Sequence, residues 1–447
     1  MKAHISDHIT YKKTFQLTIF PIVMMVFLSL YSVIDGIFIA NFSSNSAFAA
    51  VNLVFPFIMI IGSIGFMMGT GGTAFVSKLL GEKKSEEANS AFSLIIYFTI
   101  GLGVVIALAS FFCIKPIVYA LKNISPSSSD EMIEYAITYG SFLMLSQPLF
   151  ILQNVFQSFF MVAEKPKLGF LFTVAGGVSN IILDALFIGL FRWGIVGAAL
   201  ATISGYLIAG LGPLIYFIFN KNGLIHLGKC KFSLRVIART MYNGMSEFIS
   251  NISMNLTAVI YNIKLLEAYG ENGVSAYGII MYVSFIFIAI FIGYAIGMAP
   301  VVGYNYGAKN QDELKNVLKK SMFIILITSL FMSAFSFFSA RPFSKIFAAG
   351  NEELLLLSIK AMRIYSLAYL FFGFTLFISS FFTALNNGTI SAIIAIARTL
   401  VFQIGFVFLF YYLFKGEGIW WSLVVSEALS IIVGFSFIFA NKKKYGY

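Results

Sequence analysis

GEKKSEEANSA, residues 81–91, returns 226 positions later as GAKNQDELKNV, residues 307–317. Gly81 matches Gly307, Lys83 matches Lys309, Glu86 matches Asp312 and Glu87 matches Glu313; Gly71 falls on Gly297 at the same offset. A second pair, SFFMVAEKP (158–166) and SFFTALNNG (380–388), has a similar relation. Apolar helices resemble one another by chance. The first match lies in polar sequence, so it points to an internal duplication.

The duplicated material is apolar. Hydrophobic residues make up 59% of the 447, charged residues 11%, and the mean hydropathy is +0.89. A soluble domain of this length needs far more surface charge. Twelve stretches are long enough to cross a bilayer as helices: 15–40, 46–77, 91–114, 132–162, 168–191, 195–219, 242–266, 274–305, 318–340, 354–385, 389–414 and 418–440. The expected class is an all-α, multi-pass integral membrane protein, and runs of this length argue against a barrel. The first stretch is too long for the core of a signal peptide. Cys113 and Cys230 fall on opposite ends of the protein by this topology, so no disulfide is expected.

Lysine and arginine orient the spans. With the N-terminus in the cytoplasm, inside segments hold 20 of the 30 basic residues, outside segments hold seven, and Lys360, Arg363 and Arg398 fall within helices. That asymmetry places both termini in the cytoplasm, in the plasma (inner) membrane. It also accounts for the net charge of +11 without nucleic acid. The longest polar connection, 220–241, carries five basic residues and no acid. It divides the chain into an N-lobe, 1–219, and a C-lobe, 242–447. Six spans per half give both halves the same orientation, so the expected fold is two parallel six-helix repeats related by an axis along the membrane normal.

Four acids lie inside spans: Asp35, Asp184, Glu247 and Glu427. An intramembrane carboxylate costs about 2.5–3.5 kcal/mol at a helix centre, so function is its default reading. Counted at ~1.5 Å per residue, Asp35 lies roughly 8 Å from the outer end of its span and Asp184 roughly 10 Å. Asn180 is one turn from Asp184 on the same face, and Thr202 reaches a similar depth. Two carboxylates, an amide and a hydroxyl suit a proton relay or a small hard cation. The competing reading is two unrelated buried acids. Glu247 near the inner end of span 7 either meets a cationic substrate or pairs with Arg235 or Arg239. Glu427, among Ser422, Ser426 and Ser430, reads as a hydrogen-bonded structural acid, and Arg398 as a partner for an acid or for helix-end carbonyls. Pro21 can bend the helix that carries Asp35. Gly62, Gly65, Gly69, Gly71 and Gly72 in span 2, and Gly293, Gly297, Pro300 and Gly303 in span 8, permit close packing or bending. No HExxH, GxSxG or GxxxxGK[ST] motif occurs, which argues against an enzyme and against a built-in ATP motor.

YSVIDGIFIANF (31–42), SKLLGEKKSEEA (77–88), SNIILDALFI (179–188) with GIVGAALAT (194–202), and GMAPVVGYNYGAKN (297–310) together resemble the multidrug and toxic compound extrusion (MATE) family, prokaryotic DinF-like and MepA-like type. The resemblance runs in order along nearly the whole chain. It implies a V-shaped pair of six-helix bundles and antiport of organic, often cationic, drug-like compounds against H⁺ or Na⁺. It also implies a cation site at Asp35, Asn180, Asp184 and Thr202, with no cofactor and no metal beyond that possible Na⁺. A single chain holds both halves, so a monomer is expected. Some family branches use acids in spans 7, 8 and 10. Here Glu247 is the span 7 counterpart, while spans 8 and 10 offer no buried acid, which favours coupling through the N-lobe. A lipid-linked saccharide flippase of the same superfamily is the alternative, with a passive channel or an intramembrane enzyme behind it.

Overall fold

A computed structural model describes residues 4–42, 44–124, 129–348 and 350–447. Lys2, one of the 20 basic residues on the inside segments, lies outside the described residues. The helices are α1 Tyr11–Phe42, α2 Asn45–Gly81, α3 Ser85–Ile124, α4 Asp130–Leu145, α5 Gln147–Val162, α6 Pro166–Asp184, α7 Gly194–Tyr206, α8 Gly212–Phe219, α9 Leu234–Gly307, α10 Gln311–Phe347, α11 Glu352–Ser366, α12 Tyr369–Ala384, α13 Gly388–Ile396 and α14 Gly405–Tyr445. The described residues contain no strand.

Twelve membrane spans follow from these helices. α9 is 74 residues long and non-helical at Gly270 (φ 60°, ψ −150°). One straight helix of that length would reach about 110 Å, several times the ~30 Å apolar core, so it holds two spans. α14 divides likewise at Lys415 (φ 53°). α4 with α5, and α11 with α12, are single spans bent by 53° and 46°. α6 and α7 run on through π-helical turns at Ala185–Leu190 and Leu207–Leu211, and α13 through Ala397–Ile404. α9 begins at Leu234, inside the polar connection 220–241.

The repeat extends to backbone conformation. α2 ends at Gly81 and α9 at Gly307; α3 begins at Ser85 and α10 at Gln311, all at the offset of 226. Among the described residues, six non-glycines have positive φ: Lys83 and Lys309, Glu164 and Asn386, Arg192 and Lys415. Each pair occupies equivalent turns of the two halves. Left-handed backbone is uncommon for a residue with a Cβ, so three matched pairs reflect common turn geometry.

Glycines set the closest helix approaches. A Cβ on Gly71 would collide with the Thr240 carbonyl oxygen, and one on Gly244 with that of Met67. Gly293 and Gly297 face α1 around Pro21: a Cβ on Gly293 would lie 2.7 Å from the Pro21 carbonyl oxygen, and one on Gly297 3.0 Å from that of Leu17. Leu17 is the residue whose carbonyl loses its helical partner because Pro21 has no N–H. α1 nevertheless continues as one helix past Pro21. The halves therefore meet along α1, α2 and α9, mainly toward the ends that carry the basic loops.

Candidate functional site

Asp35 comes from α1, Asn180 and Asp184 from α6, and Thr202 from α7. The small residues of α6 and α7 explain why they meet. A Cβ on Gly176 would lie 2.7 Å from the Gly205 carbonyl oxygen, and one on Gly205 3.0 Å from that of Gly176. The two backbones thus nearly touch, and Thr202, one turn from Gly205, arrives beside Asn180. Gly177 leaves room for the Phe27 and Tyr31 rings of α1, which lays α1 along α6. Asp184 is the last residue before the π-helical turns, a local widening often found at functional sites.

The four side chains form one cluster. Asn180 and Asp184 are fully buried, Thr202 nearly so, and Asp35 half-buried. With the Asn180 amide oriented by its partners, its nitrogen donates to Asp184 Oδ2 (3.2 Å) and its oxygen accepts from the Thr202 N–H (3.1 Å). Thr202 Oγ1 donates to the Ala198 carbonyl (3.0 Å). The Asp35 carboxyl is close enough to interact with both Asp184 and Asn180. Asp35 Oδ1 and Asp184 Oδ1 are buried, and among the described residues no donor points at either. An acceptor facing an acceptor in a buried site requires a proton or a cation between them.

Three tyrosines, Tyr31, Tyr139 and Tyr206, lie around this cluster. Tyr139 lies near Thr202, and all three lie close enough to feel the Asp35 charge. A tyrosine on an apolar helix carries no sequence mark that separates it from core.

The second half holds a different centre. Arg398 Nε donates to Glu427 Oε1 (2.8 Å), and Thr375 Oγ1 donates to Glu427 Oε2 (2.9 Å). The guanidinium also stacks 4.2 Å from the Phe372 centroid. Glu427 is 1% exposed, and Arg398 is mostly buried. Glu247 interacts electrostatically with Arg398, whereas Arg239 lies over the Phe75 ring.

The repeat offset maps Asp35 onto Tyr261, and the offset relating Arg192 to Lys415 maps Asn180 onto Gln403. Tyr261 bonds Ser422 (2.6 Å) and lies near Gln403. The acidic cluster of one half thus has a neutral counterpart in the other. Among the described residues, no group of three or more His, Cys, Asp or Glu could hold a metal ion. Cys113 and Cys230 are free.

Comparison with known proteins supports this architecture. The multidrug export protein MepA of Staphylococcus saprophyticus is 26% identical over 426 residues, 94% of this chain and 92% of that protein. A MATE crystal structure in complex with MaL6 superimposes with a TM-score of 0.90 at 24% identity, covering 97% of each chain. The outward-facing conformation of a multidrug resistance MATE family transporter of the MOP superfamily gives 0.88 at 24% identity, over 97% of this chain and 96% of that one. The MatE family model matches twice, at residues 21–186 and 247–409, once in each half. With two six-span repeats, a buried carboxylate pair in the first and a family match across most of its length, this multi-pass membrane protein belongs to the MatE family.

Proposed function

We propose that the chain is a secondary active exporter of small organic compounds, driven by H⁺ returning through the Asp35–Asp184 pair. The observation that carries this is the neighbouring pair of carboxyl groups, with no donor among the described residues aimed at either buried Oδ1. One shared proton satisfies that geometry. Na⁺ is the weaker candidate, because a hard cation takes several oxygen ligands. The Asn180 oxygen is already used by the Thr202 N–H, and the Asn180 nitrogen faces Asp184. Export of drug-like compounds is inferred from the multidrug export relatives.

The lobes of this reading are 1–219 and 242–447, joined by the basic connection 220–241, with both termini in the cytoplasm of a plasma-membrane monomer. The halves touch at the basic, cytoplasmic end, which fits an outward-open state. Proton binding has different affinity in the two states, and that difference supplies the coupling. Glu247 is the carboxylate best placed to receive a cationic substrate in the C-lobe. Arg398 is neutralised by Glu427, which counts against the basic cavity that a lipid-linked saccharide flippase would need.

The test is a cationic dye in proteoliposomes under separately imposed pH and Na⁺ gradients, with wild type and Asp35→Asn. Dye movement that follows the pH gradient and disappears in Asp35→Asn is the expected result. Movement that follows only Na⁺ would replace the coupling ion, and dye movement unimpaired by Asp35→Asn would remove the site.

A further inference from the structure

The segment before α1 contains two His-Ile pairs four residues apart, His4-Ile5 and His8-Ile9, and each grips one carboxylate. His4 Nδ1 lies 2.5 Å from Glu164 Oε2, and the Ile5 N–H donates to Glu164 Oε1 (2.9 Å). His8 Nδ1 lies 2.7 Å from Glu313 Oε2, and the Ile9 N–H donates to Glu313 Oε1 (2.8 Å). Glu164 sits in the turn between α5 and α6, in the first half. Glu313 sits in the first turn of α10, in the second. The strap therefore joins the two halves at their basic end.

Its anchoring is not casual. Ile5 and Ile9 are buried, at 2% and 0% exposure, among residues of the second-half core. Asn316 and Lys320 both donate to the Ile9 carbonyl, and Asn316 also donates to Glu313 Oε1 (2.7 Å). Asp7 pairs with Lys13 (3.0 Å). Both imidazoles remain accessible, since His4 is 53% and His8 70% exposed at the side chain.

We propose that residues 4–10 form a latch across the cytoplasmic seam, tightened when His4 is protonated and released as the cytosol becomes alkaline. A neutral imidazole with its proton on Nδ1 donates one hydrogen bond to the carboxylate. The imidazolium adds an ion pair to that bond. The charged and titratable groups around His4 are Glu164, Asp7 and Lys13. His8 faces Glu313, with Asn316 and Lys320 on the same helix. The hydrogen bond and charge of Glu164 raise the His4 pKa above its ordinary value. A group whose pKa is raised by a contact stabilises that contact fully below its ordinary pKa, and the stabilisation fades as pH rises through the raised value. An acidified cytosol thus holds the exporter closed on the inside and slows the cycle that would import more protons. The idea rests on the transporter reading for the existence of an inward-open state and for which side is cytoplasmic.

The test measures the distance between spin labels at Glu86→Cys and Asp312→Cys, exposed and equivalent positions in the two halves, in a Cys113→Ala, Cys230→Ala background. The full-length protein is reconstituted, and dye transport is followed in the same preparation. At about pH 6 the distribution should be narrow, and at about pH 8 the wider population should rise about fivefold. His4→Ala with His8→Ala should show the wide population at both pH values. His4→Arg with His8→Arg should stay narrow at both, a response that mere loss of packing does not produce. Alanine variants that keep the parent's distribution and pH response would overturn the latch. A parent with one distance at every pH would overturn it too. Retained dye transport in either case leaves the exporter reading standing, and its loss in the parent removes both.

Discussion

Gly81 and Gly307 occupy equivalent positions in the two halves, and each lies against the other half's backbone: Gly81 on the Tyr304 carbonyl and Gly307 on that of Lys78. Lys78 and Tyr304 are themselves equivalents at the same offset of 226. The seam between the halves is therefore locally two-fold, with a glycine on each side where no Cβ fits.

Gly307→Leu should force that seam apart. Overpacking costs about 1–3 kcal/mol, and here the cost falls on the arrangement closed at the basic end. Ser77, fully buried beside Gly303, serves as the reporter. A Ser77→Cys side chain should react faster with a water-soluble maleimide in the Gly307→Leu background. Equal rates would mean that this contact does not gate access.

Asp35→Asn and Asp184→Asn should each lower proton-driven transport by about tenfold or more, and the double variant should be no worse than either alone. Residues that act as one unit behave non-additively. Tyr261→Phe, at the equivalent position of the other half, should lose only a hydrogen bond, about 0.5–1.5 kcal/mol of stability, and keep transport. Additive losses at the two aspartates, read from initial dye-efflux rates, would mean that they do not share a proton.

Arg398→Met should be strongly destabilising, by about 3–5 kcal/mol, because it leaves the buried Glu427 carboxyl without its ion partner. Arg398→Met combined with Glu427→Leu should recover most of that loss. Thermal midpoints in detergent distinguish the cases; a double variant as unstable as the single would point to lost packing on Phe372 instead.

Glu313 gives a pH dependence of opposite sign to His4. Burial alone would raise its pKa. The Ile9 N–H, Asn316 and His8 more than offset that and hold it below the ordinary 4.5. A depressed carboxylate adds stability above its ordinary pKa and loses it as pH falls through the depressed value. The gap in thermal midpoint between wild type and Glu313→Gln should therefore be open at about pH 7 and shrink toward about pH 4. A gap that does not change with pH would show that Glu313 acts through shape alone.

Much of this was legible in the linear chain. Apolar runs and basic loops mark the spans, because the bilayer accepts only long apolar helices with their polar groups satisfied. The 81–91 and 307–317 match announces the duplication. Asp35, Asn180, Asp184 and Thr202 stand out because polar groups are expensive inside a membrane, and counting residues along two helices puts them at one depth.

Depth, however, is not contact. Whether two carboxyl groups at one level face each other depends on helix rotation and spacing, which the Gly176–Gly205 approach decides. The choice of Arg398 as the partner of Glu427 and the electrostatic neighbour of Glu247, rather than Arg235 or Arg239, depends on which spans are adjacent in the second bundle. The N-terminal strap was silent for a related reason. His4 and His8 lie in a short polar segment with no periodicity, and their partners are 160 and 305 residues away. Hydropathy and charge act locally along the chain, so the membrane class and the duplication can be read from it directly. Which residues pair is set by the packing of helices distant in sequence, and it becomes visible only in the folded chain.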